Sequence, residues 1–144
     1  MNTKILSLLT NTKVNDPTQV IDHGYVGNST QSAGCWIKTT DVNSISSGVI
    51  IAIERSDTNN TWFVTLEVNS KQWVRYCCLG AVKVTLGQSI SEGQLIGYAY
   101  KNLMRVEYCT AKETQFPVRV SSRQLYKTDP TPILFGQLLL SEVI

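Results

Sequence analysis

A chain of 144 residues with a formal net charge of +2 is long enough for one ordinary core and too weakly basic to hold nucleic acid by charge alone. Its 42% apolar and 17% charged residues are the values of a globular domain, and no cluster of Lys and Arg interleaved with aromatics supplies a nucleic-acid surface. No apolar run approaches the roughly 18 residues of a membrane span.

In chain order, Ile5, Leu6, Leu8 and Leu9 predict one or two helical turns over residues 3–10, docked on the body and stopped by Asn15–Asp16–Pro17. The patch "ILSLL" is shorter than the about 7–15 apolar residues of a secretory signal and no small-residue cleavage site follows it, so folding in a cytoplasm is the expectation. Residues 24–33, rich in Gly, Ser, Asn and Thr, read as a loop. Strand signals then come at short intervals. "CWIKTT" alternates, with Trp36 and Lys38 on one face and Cys35 and Ile37 on the other. "SGVIIAIE", the turn "SDTNN" and "TWFVTLEV" read as a hairpin, and "QWVRYCCL", "QLIGYAY" and "LMRVEYCT" as further strands. Short strands bounded by Gly, Asn, Ser and Asp predict an all-β fold, an antiparallel sandwich or half-open barrel, with a short N-terminal appendage over residues 1–22.

Four cysteines, Cys35, Cys77, Cys78 and Cys109, show no C-x-x-C spacing. They read as buried free thiols, as a disulfide from Cys35 to one of the others, or as part of a metal site. On a regular strand Cys77 and Cys78 point to opposite faces, so one of them at most joins a given site.

The stretch "VKVTLGQSISEGQLIG" repeats at six residues. Gly87 and Gly93 are each followed by Gln, and Val84, Ile90 and Ile96 keep the same interval. This predicts two tight turns at glycines with φ > 0, each followed by an apolar plug for the core.

That phrase, with what flanks it, resembles the lysostaphin-type (LytM-like) zinc endopeptidases, which are built on a duplicated hybrid motif. The resemblance rests on "SGVIIAIE", then "YCCL" at Tyr76–Leu79, the glycine phrase, "LMRVE" at Leu103–Glu107 and "YKTDPTPIL" at Tyr126–Leu134, over about 60% of the chain. It implies that residues 23–134 form the peptidase-like domain and residues 135–144 an additional apolar tail. It also implies a site that has lost its chemistry. Such an enzyme needs zinc on three protein ligands with one open position, and histidines to move protons. Cys78 stands where the histidine of "Y-x-H-L" belongs, and Leu103 and Arg105 stand where the two histidines of "H-x-H" belong, the second being a zinc ligand. Of the upstream "H-x-x-x-D" pair only His23, the one histidine of the chain, has a counterpart, a vestigial ligand at best, because Gly27 takes the aspartate position. Biotinyl and lipoyl carrier domains share the glycine phrase, but neither Lys83 nor Lys101 has the neighbours of a modified lysine.

The expectation is a non-catalytic module with no metal and no other cofactor, most simply a component of a bacteriophage tail or baseplate. Its partners are then other virion proteins or further copies of itself, with no nucleic acid; peptidoglycan binding stays open. The localisation that follows is the virion, with the bacterial cytoplasm as the alternative. A scaffold or regulator of cell-wall hydrolases, or a hydrolase with Cys and His metal ligands, are the other readings. Arg105 is expected to pair with Glu107, two residues along the same strand face, so that losing it from a buried pair costs roughly 3–5 kcal/mol. Ile133, Leu134, Phe135, Leu138, Leu139 and Leu140 make the tail apolar enough to need a cover, either the domain's own sheet or a neighbouring subunit.

Overall fold

The computed structural model describes residues 20–22, 34–56 and 60–128. The proposed helix over 3–10, His23 and the tail from Ile133 onward lie outside the described residues. Strands follow one another as β1 (Val20–Asp22), β2 (Cys35–Lys38), β3 (Asp41–Asn43), β4 (Gly48–Arg55), β5 (Trp62–Asn69) and β6 (Gln72–Val82). They continue as β7 (Ser89–Ile90), β8 (Leu95–Ala99), β9 (Leu103–Thr110), β10 (Pro117–Val120) and β11 (Arg123–Thr128). One 3-10 turn, Tyr100–Asn102, is the helical piece among the described residues.

The order along the sheet is β1-β2-β9-β6-β5-β4-β7, with β8 and then β3 joined to β6, and β11 and then β10 joined to β9. Every pairing is antiparallel and the sheet does not close into a barrel, which fits the all-β expectation.

Alternation divides this sheet into two chemistries. Ile37, Ile50, Val64, Leu66, Val74, Tyr76, Met104 and Val106 point to one side, where they meet Val42, Ile45, Ile90 and Ile96 in the main core. Tyr76 brings a hydroxyl into that core and satisfies it by accepting from the Ile45 amide at 3.0 Å, with Ser44 Oγ at 3.3 Å. The opposite side of the same strands carries Trp36, Arg75, Cys77, Arg105 and Glu107, in register across β2, β9 and β6. A small second cluster of Ala52, Trp73, Cys109, Val120 and Leu125 closes one end of that side.

The six-residue repeat folds as two copies of one turn. Gly87 and Gly93 both have φ of 84°, and in each copy the following glutamine folds back. Gln88 Oε1 accepts from the Thr85 amide at 2.9 Å, and Gln94 Oε1 from the Ser91 amide at 3.0 Å. Each turn is also tied to the body: the Gly87 amide donates to the Ile50 carbonyl at 2.8 Å and the Gly93 amide to the Ser44 carbonyl at 2.7 Å. Val84, Ile90 and Ile96 are buried between them, as the repeat predicts.

Candidate functional site

The site is set by a bulge in β6. Tyr76 is opposite Val64 and Leu79 is opposite Trp62, so two residues of β6, Cys77 and Cys78, face the single residue Phe63. Tyr76 and Leu79 both enter the core, which leaves both cysteines on the other side. Cys78 makes this possible by adopting φ of 64°, a left-handed conformation that costs a non-glycine residue about 1–2 kcal/mol. The expectation that Cys77 and Cys78 point to opposite faces is therefore corrected: the bulge breaks the alternation on which it rested. The bulge also falls where β6 exchanges partners, from Cys77 opposite Arg105 on β9 to Leu79 opposite Ala99 on β8.

Across from the bulge, Arg105 and Glu107 form the pair expected from their spacing. Arg105 Nε donates to Glu107 Oε2 at 3.0 Å, and the two residues are 8% and 4% exposed. Two further cations converge on the same carboxylate. Arg75, opposite Glu107 in register, donates through Nη1 to Oε1, and Lys127 Nζ on β11 lies 3.4 Å from Oε2. Burial raises the pKa of Glu107, but Arg75, Lys127 and Arg105 together outweigh it and hold the carboxyl below its ordinary range. Aromatic rings complete the guanidinium surroundings. Arg105 lies over Trp36 at 5.6 Å and Arg75 over Phe63 at 5.1 Å. Gly34 allows the fit from above, since a Cβ there would come within 2.6 Å of the Arg105 guanidinium.

The thiols around this cluster are poor nucleophiles. Burial pushes Cys109 up to about 12 and Cys77 well above the ordinary thiol value, with Glu107 adding to both. Half-buried Cys78 is raised as well, by burial, against the opposing pull of Arg105. All three are reduced thiols, and at neutral pH they stay protonated, whereas the thiolate is the form that attacks or binds metal.

Of the residues singled out in the sequence, Cys78 and Arg105 do come together across the bulge. Leu103 begins β9, opposite Lys38 and half-buried, on the same strand face as Arg105. It lines a shallow depression of about 460 Å³ with Lys38, Thr39, Thr40, Lys101 and Asn102. Arg75 and Lys127 were missed. Arg75 was legible as the residue two before Cys77 on one strand, but Lys127 arrives on the β10–β11 hairpin, for which no strand was expected.

Zinc does not fit what is here. A guanidinium engaged by Glu107 stands where the motif resemblance implies a metal ligand, and among the described residues no three His, Cys, Asp or Glu side chains converge as a metal site. The cluster stores fixed charge, which can orient or repel a ligand.

A model of peptidase family M23 matches residues 30–125. No curated protein matches the sequence significantly. Among solved structures, the catalytic domain of the antimicrobial peptidase lysostaphin from Staphylococcus simulans is similar at a TM-score of 0.62 and 20% identity, over 78% of this chain and 90% of that one. In a longer lysostaphin structure the match spans 52% of its length. The catalytic domain of the prophage-encoded M23 protein EnpA from Enterococcus faecalis, solved as a mutant, gives 0.51 and 14%, over 62% and 74%. A chain of the SpoIIQ–SpoIIIAH pore-forming complex gives 0.54 and 16%, over 78% and 80%. At these identities the likeness is one of fold.

Proposed function

The chain belongs to peptidase family M23, and from that premise we propose that it is a non-catalytic member, a structural or binding module on an inactive endopeptidase fold. One observation carries the reading: Arg105, at the position the resemblance assigns to a zinc ligand, is buried and ion-paired to Glu107, with Arg75 and Lys127 on the same carboxylate. A zinc ion placed there would meet a fixed positive charge among two others. Leu103 and Cys78 at the remaining positions offer no imidazole for proton transfer.

Within this reading the chain is a bacteriophage tail or baseplate component. The likeness to a prophage-encoded M23 protein supports the phage setting, and the likeness to a chain of a pore-forming complex supports an M23-type fold used in assembly. The apolar tail, Ile133 to Leu140, is the proposed assembly element, working by an added strand or a docked segment on a neighbouring copy. The full chain should sediment as an oligomer and leave peptidoglycan undigested, while a chain ending at Phe135 stays folded and monomeric. Release of peptides from peptidoglycan would overturn the inactive reading. A truncated chain that fails to fold would return the tail to the domain's own core.

A further inference from the structure

Away from the buried cluster, the turn between β8 and β9 builds a second surface. Tyr98 and Tyr100 flank core-facing Ala99, so both rings stand outward, 37% and 38% exposed. Each lies under an ammonium: Lys83 Nζ is 5.7 Å from the centre of the Tyr98 ring and Lys101 Nζ is 5.3 Å from that of Tyr100. Both lysines are exposed, and neither forms an ion pair among the described residues. Gly80 lies beside Tyr100, where an added Cβ would come 3.4 Å from the Tyr100 backbone.

The same turn forms one wall of the 460 Å³ depression. Lys101 and Asn102 both adopt left-handed conformations, φ of 53° and 60°, which bring their side chains to its lining. The opposite wall, Lys38 to Thr40, is stitched to this turn: the Thr39 amide donates to the Asn102 carbonyl at 3.1 Å and the Ala99 amide to the Thr40 carbonyl at 2.9 Å. Thr40 Oγ1 donates to Asn102 Oδ1 at 3.2 Å, which turns the Asn102 amide nitrogen, a donor, away from that bond. Asp41, the cross-strand partner of Tyr98, is half-buried.

We propose that this depression and its Tyr98–Tyr100 edge form a binding site for an acidic saccharide. The three features call for one ligand chemistry. The ammonium groups of Lys83 and Lys101, without carboxylate partners among the described residues, attract a carboxylate or other anionic substituent. The half-exposed rings of Tyr98 and Tyr100 take the apolar face of a sugar ring when the exposed lysines over them turn to the ligand's carboxylate, and Thr40 and Asn102 match hydroxyl groups. A bare anion engages the lysines alone, and an acidic peptide leaves the tyrosine edge unused. The site shares only Leu103 with the vestigial groove, so it stands or falls separately from the inactive reading.

The test is calorimetric titration of the full chain with a trimer of galacturonic acid, beside the neutral galactose trimer and triglutamate. The acidic trimer should bind with a Kd of about 1 mM, a weak affinity suited to a shallow site, and bind more weakly as salt rises. Tyr98→Ala or Tyr100→Ala should weaken it roughly threefold to tenfold, and so should the exposed changes Lys83→Gln and Lys101→Gln, which do not disturb the core. Amide NMR shifts on binding should cluster at residues 38–41, 80–83 and 98–103. No binding of the acidic trimer at concentrations ten times that Kd would overturn the proposal. Equal binding of triglutamate with no effect of the tyrosine changes would overturn it too, leaving a general anion surface, and so would binding of the neutral trimer alone.

Discussion

Arg105 and Glu107, two residues apart on β9, are joined by a 3.0 Å bond from Nε to Oε2 inside the protein, and the acid is shared with Arg75 and Lys127. The sharing decides which partner matters more. Removing Arg105 leaves Glu107 with two cations, whereas neutralising Glu107 removes the carboxylate that all three buried cations share. Glu107→Gln should therefore cost about 3–5 kcal/mol. Arg105→Ala should cost less than that, below the roughly 3–5 kcal/mol expected of an unshared buried pair, because Glu107 keeps Arg75 and Lys127. Urea unfolding of the two variants checks the order; a larger loss for Arg105→Ala would contradict the sharing of Glu107 among three cations.

The same carboxylate sets an acid limit. Its folded pKa lies below the unfolded value, so its contribution is complete above about pH 4.3, the unfolded glutamate value, and is lost as pH falls through the folded one. The wild-type midpoint in urea should fall steeply below about pH 4, and the Glu107→Gln curve should be flatter there. Parallel curves for the two proteins would contradict this assignment.

The conformation of Cys78 predicts an unusual tolerance. With φ of 64° the position suits glycine, so Cys78→Gly should stay within about 1 kcal/mol of wild type despite losing a half-buried side chain. Cys78→Val, whose branched Cβ resists this region, should lose about 2 kcal/mol or more. In a Cys35→Ser background the native protein should also show one slowly reacting thiol, Cys78, with Cys77 and Cys109 protected until unfolding.

How much of this was legible in the sequence follows from where alternation holds. "VIIAIE" is a β-branched run and "LMRVEYCT" alternates, and with "WFVTLEV" they gave β4, β9 and β5 with the Arg105–Glu107 pair on one face. The twin turns were legible because glycine and glutamine recur at a fixed interval. The bulge was not, since "YCCL" carries no signal that one cysteine takes positive φ, and so both thiols reach the site against the simple rule. Lys127 was hidden because "PVRV" and "RQLYKT" are short, polar-rich segments opened by Pro117 and Arg123, too brief for their alternation to stand out as strands. The Tyr98–Tyr100 edge is written plainly in "YAYK", but as two aromatics on a strand it reads equally well as core.

Thr65 predicts a gain. Its Oγ1 is buried with no hydrogen-bond partner, as are Glu54 Oε1 and Arg75 Nε on the neighbouring strands. Thr65→Val keeps the shape and removes the orphaned hydroxyl, so it should be neutral or raise stability by about 1 kcal/mol. Thermal unfolding decides it, and a clear loss would show that the hydroxyl is satisfied by water in solution.

Zinc content tests most directly whether this M23 domain has abandoned its family's chemistry. The full chain, purified without chelators and dialysed after incubation with zinc, should carry well under one zinc per molecule by plasma mass spectrometry, if Arg105 and its partners hold the proposed ligand position with positive charge. One tightly retained zinc per chain would contradict the account.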